Sequence, residues 1–272
     1  MQNSVSVAMV IHNEEKHLEK CLLSIKNVTD DIVIIHDGEC TDNSKNIALK
    51  FKAKFVERPF IGIAEGHRIA SFDLTQRNWI LVLDADEEIS QELESSISEL
   101  TSAIDVDAYE FIWPSFDGNK VVNKNWPMKK ALFRKNMMKY IDFPQADIKT
   151  RGNLRKTNLV LHHFPTYNNF TFKSFNTKWM KWVDVQAIAT LKNFNEFETI
   201  GYEEDEKNWS TFFLFKRRFP EFFLIYGFYE FYKSIISGLR SGGSIHALKS
   251  SFMWGAYNSF VYFKVMKIKW GI

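Results

Sequence analysis

Two aspartates, Asp84 and Asp86, stand one residue apart at the end of the apolar run Trp79-Ile80-Leu81-Val82-Leu83. Side chains at i and i+2 of an extended segment point to the same side, so the pair can hold a hard cation that in turn bridges phosphate oxygens. An open α/β sheet binds ligands at the C-terminal ends of its strands, which is where this run delivers Asp84, Ala85 and Asp86. A metal-bound nucleotide is the ligand such a pair predicts. The same Asp-x-Asp also marks a strand that leaves the core at an acidic turn, so the surrounding elements must decide between the two readings.

Those elements alternate. Ser4 to Ile11 is a β-rich apolar run, and Asn13-Glu14-Glu15 after it opens a helical pattern with Leu18, Cys21, Leu22 and Ile25 on one face. Asp31 to His36 repeats the strand signal, and a polar loop from Asp37 leads to a helix through Lys50 that Thr41 or Asp42 can cap. Lys54 to Glu57, Gly62 to Phe72 and Asn78 to Leu83 then read as strand, helix and strand. This alternation predicts a mostly parallel, doubly wound α/β sheet. A helix from Ser90 to Leu100 follows, then strands at Ala108–Trp113 and Ala131–Arg134 around a Gly118-Asn119 turn, which make the sheet mixed.

Composition narrows the classes. At 272 residues the chain fits one large domain, or one domain plus a smaller C-terminal unit. Lys and Arg number 35 against 33 Asp and Glu, a net charge of +2, which argues against nucleic acid as a bulk electrostatic partner. Cys21 and Cys40 show neither metal-ligand spacing nor a disulfide framework, which predicts a reducing, cytoplasmic setting. The first residues lack the basic flank and apolar core of a secretory signal. Aromatic residues gather after Pro165, in helical segments near Phe175–Leu191, Glu206–Arg218, Glu221–Leu239 and Ile245–Lys267, the last two separated by Gly242-Gly243. None reaches the roughly 18 uncharged apolar residues of a spanning helix. Such aromatic, basic helices fit a membrane interface, the catalytic domain or a second subunit.

Taken together, Val7 to Glu15, the Asp37–Ser44 loop DGECTDNS and the DADE of Asp84–Glu87 resemble the family 2 glycosyltransferases. The resemblance implies the GT-A nucleotide-diphosphosugar transferase fold over residues 1–170, with 1–100 binding the nucleotide sugar and 101–170 serving the acceptor; residues 171–272 form the helical region. It implies a nucleotide-sugar donor, expected to be a UDP-sugar, and Mn²⁺ or Mg²⁺ on its diphosphate. Carried over residue by residue, His12, Asn13 and Glu14 border the nucleotide, Asp37 meets the base or ribose, Asp84 and Ala85 lie near the ribose or the metal, and Asp86 coordinates the metal directly. Arg68, in Gly66-His67-Arg68-Ile69-Ala70, stands where relatives carry a basic residue and would touch the diphosphate. Ile69 and Glu39 depart from the Asn and Gly common at those places.

Trp126-Pro127 before Leu132-Phe133-Arg134, Leu159 to His163, and Gly242-Gly243 with Tyr257, Phe260, Tyr262 and Lys264 resemble a narrower branch, the bacterial lipopolysaccharide-core glucosyltransferases. That resemblance implies transfer of a hexose to a hydroxyl of a glycan or glycolipid, such as a lipopolysaccharide or lipooligosaccharide core, and the family 2 resemblance implies inversion at the anomeric carbon. The aromatic, basic C-terminal helices lead to the expectation of peripheral contact with the cytoplasmic face of the inner membrane, and a homodimer is open. Inversion needs a base for the acceptor proton. Asp147, in Pro144-Gln145-Ala146-Asp147, is the first choice, with Asp142 and Glu110 as rivals. His162 and His163 alternate across a strand end, so at most one faces the site, as a metal ligand or phosphate contact. An inactive membrane-associated scaffold and a nucleotidyltransferase are the alternatives, the latter disfavoured because the first loop is not Gly-rich.

Overall fold

The structure, a computed structural model, describes residues 5–117, 119–124, 127–202, 214–240 and 245–272. Strands β1 (Val5–Ile11), β2 (Ile32–Asp37), β3 (Lys54–Arg58) and β4 (Trp79–Leu83) run parallel, with β1 between β2 and β4. Every residue of β1, β2 and β4 is buried, as continuous Val/Ile/Leu runs require when both faces of a parallel sheet are covered. Helices α1 (Leu18–Ser24), α2 (Ser44–Lys50) and α3 (Glu65–Asp73) make the crossovers. The C-terminal ends of β1, β2 and β4 therefore share one edge of the sheet, where ligands bind in open α/β folds.

The chain continues through β5 (Glu87–Ile89), α4 (Gln91–Ser102), β6 (Ala108–Ile112), β7 (Ser115–Phe116), β8 (Val121–Asn123), β9 (Met128–Arg134), β10 (Met138–Ile141), β11 (Lys149–Thr150), β12 (Leu154–His163) and β13 (Thr199–Ile200). Among the described residues the main sheet has the order β3-β2-β1-β4-β9-β6-β12-β5. β9 lies antiparallel to both β4 and β6, so the sheet is mixed, as expected. β12 pairs antiparallel with β5 and sets His163 opposite Glu87. Neither β5 nor the small β11-β10-β13 sheet was visible in the sequence pattern, because both are too short to show a period.

Three local expectations shift. Helix α1 begins at Leu18 because Asn13 takes a φ of 52°, the left-handed region that Asn tolerates, so His12 to Glu15 form a loop. Helix α3 begins at Glu65, beyond Gly62, whose φ is 77°. Asn43 rather than Asp42 is the N-cap residue of α2; Asp42 instead accepts from the Ser44 N–H at 2.9 Å and the Glu15 N–H at 3.0 Å, tying the first two ligand-facing loops together.

Beyond the sheet, a helical turn at Phe172–Ser174 and a π-helical turn at Phe175–Trp179 lead into α5 (Met180–Leu191), followed by α6 (Phe223–Arg240) and α7 (Ile245–Trp270). Their shared core holds Trp179, Val183, Tyr257, Val261 and Val265. Gly118, Trp126, residues 203–213 and Gly242-Gly243, which entered the sequence reading, lie outside the described residues. No helix among the described residues is long and apolar enough to cross a membrane.

Ser90 caps α4: it is extended, with ψ 160°, and its side chain accepts from the Leu93 N–H at 3.1 Å. Ser90→Ala is expected to cost about 1 kcal/mol, read as a lower urea midpoint. An unchanged midpoint would mean that this cap contributes nothing.

Candidate active site

The shared strand edge opens into a cavity of about 490 Å³ lined by His12, Glu14, Asp37, Arg68, Asp84, Ala85 and Asp86, among others. That volume lies within the ~300–1,000 Å³ range of small-ligand sites. Of the residues expected there, Asn13 and Asp147 are not in the lining. Asn13 works behind it: its side chain accepts from the Thr41 N–H at 2.9 Å, and its own N–H donates to His36 Nε2 at 3.0 Å. The two loops lock further through the Glu14 N–H on Ser44 Oγ at 2.8 Å and the Asn43 N–H on Glu15 Oε2 at 3.0 Å.

Asp37 is buried at the end of β2, where its carboxylate accepts from the N–H groups of Ile61 at 2.7 Å and Gly62 at 2.8 Å and from His67 Nε2 at 3.1 Å. Its carbonyl accepts from His12 Nδ1 at 2.6 Å. Asp37 thereby holds the 60–62 turn as one wall of the cavity, and the His12 and Phe60 rings meet there at 5.2 Å.

The Asp-x-Asp pair divides. Asp84 Oδ2 accepts from Lys129 Nζ at 2.8 Å and Oδ1 from Arg68 Nη2 at 3.3 Å. Burial opposes its charge, but Lys129 and Arg68 outweigh that and hold its carboxyl well below the usual carboxylate range. Lys129 Nζ also reaches Glu87 Oε1 at 2.5 Å, and Glu87 is wholly buried. Glu87 accepts in addition from Trp113 Nε1 at 2.6 Å and from the Asp84 N–H at 2.9 Å, while burial and then Asp84 push its carboxyl upward. Asp86 stands apart from this network and faces His163, whose Nε2 lies 3.4 Å from Asp86 Oδ2. The Trp113 ring stacks on His163 at 4.0 Å and 19°, fixing the imidazole plane.

Of the two adjacent histidines, His163 lines the cavity, whereas His162 stacks on Phe164 at 5.7 Å. Arg68 is a half-buried cavity residue rather than a solvated helix residue, with 15% of its side chain exposed. Asp147 is ion-paired to Lys130, two residues past Gln145, which does line the cavity. Of its rivals, Glu110 pairs with Lys156, and Asp142 lines a separate cavity behind the 58–67 segment. Lys129, Trp113, Asn169, Lys178 and Trp182 were not assigned to the site from the sequence. A strand lysine beside a second one, as in Lys129-Lys130, carries no sign of which points inward until the pairing of β9 is known.

Among the described residues no group of three or more His, Cys, Asp or Glu side chains is placed to hold a metal by itself. Asp86 and His163 nonetheless present a hard carboxylate oxygen and an imidazole nitrogen side by side, a donor pair that Mn²⁺ or Mg²⁺ can share with substrate phosphates. Glu14 shares the cavity, and burial, then the charge of Asp86, raises its carboxyl to about 7, with Lys178 acting the other way.

Two tests follow from these charges. Lys129→Met leaves buried Glu87 without its counter-ion and is expected to cost about 3 kcal/mol in urea unfolding, where a loss under about 1 would refute the network. Burial pushes the Glu14 carboxyl from its ordinary 4.5 up to about 7, so the folded state binds the extra proton and this contribution to stability declines as pH rises from 4.5 towards 7. Glu14→Gln should flatten the urea midpoint over that window, and an identical pH profile would rule out the assignment.

The profile of Glycosyl transferase family 2 matches residues 6–178. An uncharacterized glycosyltransferase of Rickettsia typhi is 24% identical over 248 residues, covering 85% of this chain and 82% of that protein. One from Rickettsia conorii is 32% identical over 109 residues, 40% of this chain and 38% of that protein. Among solved structures, Mycobacterium tuberculosis glucosyl-3-phosphoglycerate synthase with Mn²⁺ and UDP-glucose aligns at a TM-score of 0.35 and 18% identity, over 41% of this chain and 44% of that chain. Staphylococcus aureus TarS residues 1–349 align at 0.45 and 12% identity, over 100% and 92%. With the family profile spanning more than half of the 272 residues and ending in the segment that carries Lys178 into the cavity, the chain belongs to glycosyl transferase family 2 and is a glycosyltransferase.

Proposed function

We propose that the protein moves a hexose from a UDP-sugar to a hydroxyl of a glycan acceptor, such as a lipopolysaccharide or lipooligosaccharide core, with inversion at the anomeric carbon. The observation that carries this reading is the Asp86–His163 pair on the cavity wall, with Asp86 outside the ion pairs that Lys129 and Arg68 make with Asp84. Asp86 and His163 would hold a divalent ion, whose Lewis acidity would neutralise charge on the departing diphosphate. The uridine has His12, Phe60 and Asp37 as its wall, and Arg68 and Lys178 provide cationic donors for phosphate oxygens.

In a single displacement the acceptor oxygen bonds to the anomeric carbon as the bond to the diphosphate oxygen breaks. The acceptor proton passes to a base, and the diphosphate leaves with the additional negative charge. The loop from Gln145 to Asp147 borders the acceptor side, and Asp147 takes the proton in this reading once released from Lys130. Residues 1–100 are the donor half and 101–170 the acceptor half, while 171–272 add Lys178 and Trp182 to the cavity wall and contact the membrane or a second copy. A glycolipid acceptor places the protein at the cytoplasmic face of the inner membrane.

Asp86→Ala is expected to lower Mn²⁺-dependent turnover of the UDP-sugar by about a hundredfold or more with an unchanged melting temperature, and His163→Ala by about tenfold or more. Undiminished activity in Asp86→Ala would sink the metal assignment. Asp147→Asn should cut kcat while leaving UDP affinity alone, and a full-rate variant would remove it as the base. Melting-temperature shifts with UDP, GDP, CDP and ADP, each with and without Mn²⁺, test the choice of base.

A further inference from the structure

Two long helices, α6 and α7, pack on each other and leave their outer faces bare. On α6 the residues Leu224, Phe228 and Tyr232 recur every fourth position, 58%, 72% and 62% exposed, and on α7 Leu248 and Phe252 continue the pattern at 49% and 60%. Between the helices runs a groove of about 640 Å³ whose walls include Leu224, Phe228, Phe252, Phe260 and Phe263. Its floor exists because Gly227 and Gly255 let the backbones touch: a Cβ on Gly227 would fall 2.8 Å from the Gly255 carbonyl oxygen, and one on Gly255 2.9 Å from that of Gly227. An apolar surface of this extent on a soluble protein marks an interaction site.

Charge identifies the occupant. From residue 214 to 272 the sequence holds nine Lys and Arg against two Asp and Glu, a net +7, while the whole chain carries +2. The remainder is therefore acidic, and the positive charge is concentrated on the segment that bears the bare apolar face. Lys249 neighbours Phe252 at i+3, and Lys267 lies 6.0 Å from the Phe263 ring at i+4, so a lysine flanks each end of the groove. A second copy docked on the same face would set one +7 segment against another. An anionic surface with an apolar interior matches both features.

We propose that the α6–α7 face docks on an anionic lipid bilayer, with the Gly227–Gly255 groove opening onto its acyl chains and Lys249 and Lys267 on its headgroups. This deepens the glycolipid reading of the acceptor and rests on it for why the enzyme is at a membrane; vesicle binding itself needs no sugar donor, so it can fail or succeed separately from turnover.

The test is flotation of the full chain with phosphatidylcholine vesicles, with and without phosphatidylglycerol, at low and high salt, beside sedimentation without lipid. The chain should float only with the anionic vesicles, and less at high salt. Phe228→Ser with Phe252→Ser should lower the bound fraction about tenfold or more. Lys249→Gln and Lys267→Gln should each lower it about fivefold, with unchanged circular dichroism and UDP affinity. Failure of the unaltered chain to float, equal binding by all variants, or a lipid-free dimer that the phenylalanine variants dissociate would overturn the proposal, the last in favour of a second copy.

Discussion

The acidic turn after β4 depends on Lys129. Its ammonium satisfies Asp84 and the wholly buried Glu87 at once, and Trp113 adds a third hydrogen bond to the same carboxylate. Buried carboxylates persist only when paired and hydrogen-bonded, since desolvation otherwise drives them to protonate or to unfold the chain. The network pins the turn after β4, so the two aspartates of the Asp-x-Asp acquire different duties. Both line the cavity, but Asp84 is an anchor whose charge is spent on Lys129 and Arg68, whereas Asp86 lies outside those ion pairs, beside His163.

The same network reaches His163. Trp113, held by its bond to Glu87, stacks on the imidazole, and the Phe164 N–H donates to the Asp86 carbonyl at 2.8 Å. The β12–β5 ladder then leaves His163 one position in which to stand, opposite Glu87 and beside Asp86. Packing and strand pairing, rather than any bound group, therefore set the orientation of the His163 ring beside Asp86.

Charge is segregated along the chain as well as within the site. The sheet carries the acidic cavity and residues 214–272 carry the excess positive charge, while Lys178 and Trp182, on the 175–179 turn and α5 between them, line the cavity from the helical side. The bare apolar face of α6 and α7 lies on that helical side of the molecule, so a surface that receives it stays on the part of the chain that also closes the cavity.

From the sequence alone, the parallel strands, their helices, the family and the loops that line the cavity were legible, because long apolar runs and their periods are local signals. His12, Glu14, Asp37, Arg68, Asp84 and Asp86 do converge on one cavity. What only the tertiary structure decided is how they are paired there. Choosing between His162 and His163 needed the β12–β5 register, in which a shift of one residue exchanges the two faces. Lys129, separated by more than forty residues from the aspartate it neutralises, became visible only when β9 came to lie antiparallel to β4. The starts of α1 and α3 moved because Asn13 and Gly62 take left-handed backbone angles that a hydrophobic period does not encode. Local periodicity specifies which residues sit at strand ends, but strand pairing over long sequence separations sets which charges meet, and it is those meetings that separate a carboxylate spent on ion pairs from one left outside them.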